Sequence, residues 1–189
     1  MEFDVDAWRA ELTEYREQKD EQFATARSSP LPPEKRESFD GLDYFEPNPD
    51  YRVAATVGVD DSDETITMET TAEGERLYER VARLTFEVPD ASGNRDEHTL
   101  VAYQRVDQRG DGSLFVPFRD KTTGQQTYPA GRYMELHYEG DLEDGATVPL
   151  DFNLAYNPFC AYSDAYECPL PPQENWLEIV VPAGERYDQ

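Results

Sequence analysis

The apolar positions of this chain change their period once, near residue 30. From Val5 to Phe23 they follow helical spacing: Val5, Trp8, Leu12 and Tyr15 recur three or four residues apart, and Phe23 rejoins their face after a polar turn. Asp4 stands where an N-cap accepts amide protons, Asp6 falls in the first turn, and Phe3 and Trp8 hold the two positions of a hydrophobic staple. Arg27 falls near the C-terminus, and Ser28-Ser29-Pro30-Leu31-Pro32-Pro33 stops the helix because proline lacks the amide the ladder needs. The pattern predicts a helix over about residues 4–27 with a narrow apolar stripe and a mostly polar circumference.

Beyond the proline stop the period becomes two, the signature of strands that bury one face. Tyr51, Val53, Ala55, Val57 and Val59 form one set; Ile66 with Met68, then Ala82, Leu84, Phe86 and Val88, form two more. Leu100, Ala102 and Val106 continue the pattern, followed by Leu114, Val116 and Phe118, and by Met134, Leu136 and Tyr138. Val148, Leu150 and Phe152, and lastly Leu177, Ile179 and Val181, complete it. Turn chemistry separates these runs at Asp60-Asp61-Ser62-Asp63, Ser92-Gly93-Asn94, Arg109-Gly110-Asp111-Gly112, Thr123-Gly124 and Glu143-Asp144-Gly145. About eight short strands at this spacing predict a mainly β fold, an antiparallel β-sandwich or flattened barrel with one N-terminal α-helix. One domain is expected over residues 1–189, with its β part from about 38 to 187 and two proline-rich segments crossing the sheets.

Charge changes the picture more than length does. Forty-one Asp and Glu face 17 Lys and Arg, a formal net charge of −24. Nucleic acid is excluded as a partner, because its phosphates would be repelled. The acids run from Asp4 to Asp188 rather than forming a tail, and Lys19, Lys35 and Lys121 are the only lysines. This distribution predicts a halophilic protein: self-repulsion opposes compaction in dilute buffer, and at about 1 M salt the screening length falls to about 3 Å. The longest apolar runs are far short of the roughly 20 residues that cross a bilayer, so no membrane contact is expected. Met1-Glu2-Phe3-Asp4 lacks the basic and apolar regions of a leader, which points to the cytoplasm. The seven residues between Cys160 and Cys168 do not match zinc-ligand spacing; two reduced, packed thiols are expected and no metal is assigned.

The polar residues that stand out fall in three stretches. The first, Phe115 to Tyr133, joins two strand ends through Asp120, Thr122, Thr123, Gly124, Thr127 and Tyr128. Aspartate followed by threonines and glycine is how a turn satisfies its own backbone, yet it also offers a carboxylate and hydroxyls to a ligand. Arg132 shares its alternation face with Met134 and Leu136, so its guanidinium should point inward and need a carboxylate or an anion. Asp120 or Asp151 would supply the partner in a buried ion pair; an anionic ligand is the other reading. The second stretch, Asp151 to Tyr162, carries Asn153, Tyr156, Asn157 and Cys160. The third, Cys168 to Trp176, carries Asn175, with Ala183-Gly184-Glu185 beyond the last expected strand.

In these stretches the chain resembles the domain of unknown function 1684 (DUF1684) family. The likeness rests on Asp120, Thr122, Gly124, Thr127-Tyr128 and Gly131-Arg132-Tyr133, then on Asp151-Phe152-Asn153, Ala155-Tyr156-Asn157-Pro158 and Cys160-Ala161. It continues through Cys168-Pro169-Leu170-Pro171-Pro172, Asn175 and Ala183-Gly184-Glu185, and upstream through Ser29-Pro30-Leu31 and Phe39 to Phe45. Phe159 departs from the pattern, which has a second proline there in many members. The resemblance implies no particular activity.

Motifs of the known catalytic classes are missing: there is no Gly-x-Ser-x-Gly elbow, Walker loop, Gly-x-Gly-x-x-Gly or His-Glu-x-x-His. His98 and His137 read as surface histidines, and Asp60, Asp61, Asp63 and Glu64 lack the spacing of an EF-hand loop. The candidate ligand-binding rim comprises Asp120, Tyr128, Arg132, Tyr133, Asp151, Asn153, Tyr156, Asn157 and Asn175, with the tyrosines supplying apolar faces. A small polar or anionic molecule held around Arg132 is the leading expectation. The alternatives are a hydrolase using Asp120 and Asp151 as carboxylates or metal ligands, and a structural or interaction protein whose amides satisfy buried backbone. The sequence names no cofactor and does not decide between enzyme and binding module.

Overall fold

The computed structural model describes residues 2–108 and 112–188; Met1 and residues 109–111 of the turn expected at Arg109–Gly112 lie outside the described residues. Helix α1 spans Val5–Thr25. Asp4 caps it as expected, its Oδ1 accepting the amides of Asp6 and Ala7 at 3.1 and 3.0 Å, and the Phe3 and Trp8 rings meet with centroids 5.9 Å apart. Trp8, Leu12 and Phe23 are buried, whereas Tyr15, expected on the same stripe, is exposed because it borders a cleft rather than the sheet. After the proline stop a single turn, α2 (Pro33–Arg36), follows. The Arg36 guanidinium donates to the carbonyls of Leu31 and Ala26 at 3.0 and 3.2 Å, which ties that turn to the end of α1. Among the described residues no helix is long and apolar enough to cross a membrane.

Among the described residues seven strands form one antiparallel sheet curled into a half-barrel. They are β1 (Arg52–Val59), β2 (Thr65–Glu69), β3 (Glu75–Pro89), β4 (Arg95–Arg105), β5 (Ser113–Phe118), β6 (Arg132–His137) and β7 (Thr147–Asp151). The order is β6-β5-β4-β3-β1-β7, and the long β3 pairs β4 along one edge and β2, then β1, along the other. Its register on β4 shifts between Arg80 and Ala82. A bulge there re-phases the alternation. Ala82, Leu84, Phe86 and Val88 therefore face the main core, while Tyr78 joins Met68, Val101 and Tyr103 in a second cluster. The main core takes Leu114, Val116 and Phe118 from β5 and Met134 and Leu136 from β6. Phe152 sits within it, 5.4 Å from Phe86 and 5.5 Å from Phe118 between ring centroids.

The run Leu177–Val181 keeps the predicted alternation, with Leu177 and Val181 buried, but it is not a ladder strand. Trp176 forms one parallel bridge with Arg119. The chain is then held by Leu177 N donating to Arg119 O (2.7 Å), Lys121 N to Ile179 O (2.8 Å) and Val181 N to Asp120 Oδ2 (2.8 Å). The eighth expected strand is thus an extended segment lying against the ends of β5 and β6. A related device joins β4 to β5, whose pairing among the described residues is Tyr103 with Phe115. Two positions further on, Pro117 has no N–H to give a ladder. The Asn175 carboxamide fills that gap, accepting from Val101 N at 2.8 Å and donating to Val101 O and Pro117 O at 2.9 and 2.7 Å.

Candidate functional site

Alternation along β6 turns Arg132 into the core end of the half-barrel, where it is 1% exposed. Its Nη1 donates to the carbonyls of Ala183 and Glu185. Nη2 donates to Val181 O at 3.0 Å and to Asp120 Oδ1 at 3.4 Å. Of the two carboxylates the sequence offered, the partner is Asp120. Asp120 in turn accepts from Thr122 Oγ1 at 2.7 Å and from the Val181 amide, and Thr122 reaches Thr127 at 3.0 Å. Burial pushes the Arg132 guanidinium below its ordinary pKa, and Asp120 opposes that shift. The cation is spent on the chain's own carbonyls, and it lines none of the clefts described below.

The three asparagines do not converge on that rim. Each uses its carboxamide, which carries the donor and acceptor of a peptide group, to pair with a distant backbone. Asn175 serves Val101 and Pro117, as above. Asn153 accepts from Asn48 N at 2.9 Å and donates to Asn48 O at 2.8 Å. Asn157 donates to Arg186 O at 2.9 Å and to Tyr162 Oη at 3.2 Å. Its own amide donates at 2.7 Å to Glu185 Oε2, and Lys19 of α1 binds the other oxygen, Oε1. Glu185 is 1% exposed. Next to it, Gly184 adopts φ +82°, and a Cβ there would lie 2.7 Å from the carbonyl oxygens of both Phe152 and Ala155.

Asp151 belongs to a different neighbourhood from Asp120, and the two share no partner among the described residues. Its Oδ2 accepts from Trp8 Nε1 at 2.8 Å, its Oδ1 from the Asn153 amide at 2.9 Å, and Arg52 approaches at 3.8 Å. Among the described residues no group of three or more His, Cys, Asp or Glu side chains gathers as a metal ion would need. Tyr133 donates to Pro169 O and packs edge-on to Phe115 with centroids 4.6 Å apart. The Tyr128 hydroxyl donates to Cys160 Sγ at 3.6 Å.

Two of the nine candidates, Asp151 and Tyr156, do meet at an opening. Where the sheet stays open between β6 and β7, α1 lies across, and a cleft of about 490 Å³ remains beneath it. Trp8, Leu12 and Tyr15 form its roof, Met134, Leu150 and Leu154 its apolar wall, and Glu11, Glu135, His137 and Arg52 its polar margin. Tyr156 donates to Glu135 Oε1 at 3.2 Å; burial and that carboxylate hold its phenol well above the ordinary tyrosine range. Tyr15, Glu135 and Tyr156 also line a neighbouring depression of about 280 Å³ that reaches Phe23 and Phe159, so the groove follows α1. A further depression of about 430 Å³ along β1 and β3 is mainly polar, bounded by Asp50, Glu87, Arg95 and Glu97, and holds none of the nine.

A family profile described as "Protein of unknown function (DUF1684)" matches residues 37–186. The chain belongs to that family. It is similar, at 51% identity over 100% of this chain and 98% of the other, to an uncharacterized protein of Haloarcula marismortui solved by solution NMR, with a TM-score of 0.75. A search of curated proteins returned no match.

Within this DUF1684 chain, the motif residues Asp120, Arg132, Asn157, Asn175 and Glu185 hold loops and the C-terminal segment in place. Apart from Asp151 and Tyr156, the residues that shape the cleft are not among the nine candidates. Trp8 was visible as a staple residue, but its indole contact with Asp151 spans 143 positions and has no local signal. Glu135 and His137 sit on the polar face of β6, as alternation predicts, and border the cleft because β6 is an edge strand.

Proposed function

We propose that this protein is a binding module for a small amphipathic molecule, held in the cleft between α1, β6 and β7. The observation that carries this reading is the cleft itself: about 490 Å³, largely apolar inside, with a few polar groups converging at its mouth. Its chemistry favours an apolar, ring-sized body with a positively charged or donor-rich head. Glu11, Glu135 and Asp151 border it, while the Arg52 guanidinium is already engaged by Asp151 and by the Phe3 ring, 4.7 Å away. An anion held at Arg132 is less well supported, because that guanidinium is closed off by carbonyls 181, 183 and 185. The charge balance supports a cytoplasmic protein adapted to concentrated salt.

The test is an NMR titration with a small library of cationic, neutral and anionic aromatic compounds in multimolar KCl. Shifts at the Trp8 indole, Met134 and Tyr156, strongest with cations, are expected. Leu154→Trp, at an exposed wall position, should fill the cleft and abolish them without lowering the melting temperature. Shifts centred on Asp120 and Arg132, or none, would overturn the reading.

A further inference from the structure

The half-barrel is open between β6 and β7, and the two edges that meet the opening are not alike. In an antiparallel ladder bonded pairs alternate with non-bonded ones, so every second residue of an edge strand turns its N–H and C=O away from its neighbour. Tyr138 N donates to Gly112 O at 3.1 Å, which sets the phase of the β5–β6 ladder: Met134 and Leu136 spend their backbone on β5, and Tyr133, Glu135 and His137 face outward. Tyr133 fits this phase, its N–H donating to Tyr156 O at 2.8 Å and its carbonyl accepting from Tyr156 N at 2.9 Å. That bridge begins a strand addition, but the turn Phe152–Leu154 carries the chain away before it reaches Glu135. The outward N–H and C=O of Glu135 and His137 have no partner among the described residues, and both residues line the cleft beneath α1.

The opposite edge is guarded. Val57 N donates to Ala146 O at 2.8 Å, and the β1–β7 register carries that phase to Val148 and Leu150, so residue 149 faces outward. It is proline, which has no N–H to give an added strand. The backbone that the cleft offers to a ligand is therefore that of β6.

We propose that the cleft binds a short peptide with a free amino terminus, which adds to the outward edge of β6 as an extended segment. The proposal rests on the reading of this cleft as the binding site and names its ligand class. Glu135 and His137 stand two positions apart, so about three ligand residues span both. Main-chain hydrogen bonds to the edge supply affinity, and a pocket for one side chain supplies selectivity. Met134, Leu150 and Leu154 form that pocket's wall and accept an apolar or aromatic side chain. Glu11 and Glu135 at the margin complement the terminal ammonium, and the net charge of −24 opposes an acidic peptide.

The test titrates the full chain, labelled with nitrogen-15 and in multimolar KCl, with the amide of Ala-Phe-Ala. Phenethylammonium, which has the ring and the charge but no peptide group, is titrated in parallel. The tripeptide should bind about tenfold more tightly, as one net hydrogen bond allows. It should move the Glu135 and His137 amide protons downfield and slow their exchange. Methylating its peptide nitrogens should remove the about tenfold advantage, and acetylating its amino terminus should weaken it about threefold. Equal affinity for the two probes, or tripeptide binding that leaves those two amides unmoved, would overturn the proposal while the cleft remains a site for small amphipathic cations. If neither probe shifts the Trp8 indole or Tyr156, both readings fail together.

Discussion

The carboxamide of Asn175 bonds both backbone groups of Val101, accepting its N–H at 2.8 Å and donating to its carbonyl at 2.9 Å. A side chain thus completes a sheet where proline interrupts the ladder. Removing it leaves those groups and the Pro117 carbonyl unpaired inside the protein. Each such group costs about 1–3 kcal/mol, so Asn175→Ala is expected to lose about 3–5 kcal/mol in urea melts. Hydrogen exchange at the Val101 amide should accelerate by more than the global loss of stability accounts for. An unchanged melt would show that β4 and β5 hold together without this residue.

Arg132 and Asp120 form a pair whose side chains are 1% and 0% exposed. Cutting one partner leaves the other charge buried alone, and Arg132→Met is expected to cost about 3–5 kcal/mol. Adding Asp120→Asn should recover at least about 1 kcal/mol of that loss, because the orphaned charge is gone while the Val181 amide keeps an acceptor. Strictly additive losses in this cycle would mean that the two side chains do not interact.

Burial raises the phenol pKa of Tyr44, Tyr51, Tyr78, Tyr103, Tyr128, Tyr133, Tyr156 and Tyr162, eight of the twelve tyrosines. The unfolded chain releases these protons near pH 10 while the folded chain keeps them, so their contribution to stability is whole below about pH 10 and is lost as pH rises beyond it. Absorbance titration should show less than half of the unfolded chain's tyrosinate signal before cooperative alkaline unfolding. A full, gradual rise at pH 10 with the fold retained would contradict the packing of these rings.

The thiol pair titrates within reach of ordinary buffers. Iodoacetamide modification of Cys160 should rise through about pH 6 in the folded protein, against about 8.5 in the unfolded chain. The folded value lies below the unfolded one, so the Cys160 thiolate adds stability above the unfolded value and loses it as pH falls through the folded one. Cys168, raised because it keeps the shared proton, has the opposite sign. The pair's contribution therefore grows from the acid side and declines in the alkaline range. Cys168→Ala should move the Cys160 midpoint upward, and a midpoint that stays put would remove Cys168 as its cause.

Net charge gives a further expectation. With 41 acidic and 17 basic side chains, self-repulsion should lower the melting temperature in dilute buffer and multimolar KCl should restore it. Equal stability in both would rule out the halophilic reading.

Periodicity made most of the fold legible, because helix α1 and the inner faces of the strands are set by local alternation and by the Asp4 cap. The second cluster was hidden. Val101, Tyr103 and Phe115 occupy the face that alternation marks as solvent, and they are covered by the bulge-shifted Tyr78 and by the segment carrying Pro169 and Asn175. That cover is contributed from tens of residues away and leaves no local trace. The inward turn of Arg132 was readable from Met134 and Leu136; the choice of Asp120 over Asp151 was not, since Trp8 claims the latter across 143 positions. Leu177–Val181 misled for the same reason: alternation records which side is apolar, not whether a neighbouring strand exists to pair with.

The guanidinium at 132 finds its acceptors at carbonyls 181, 183 and 185, some fifty residues later in the chain. During synthesis Asp120, which carries the opposite charge, and the strands β1 to β7 are therefore made before the carbonyls that take up most of this guanidinium's hydrogen bonds. Until then Asp120 alone answers the inward guanidinium, and its bonds to the three carbonyls are unmade. Burial of that side chain thus waits on the segment from Val181 to Glu185, and a chain cut after Trp176 should leave this end of the half-barrel unsealed.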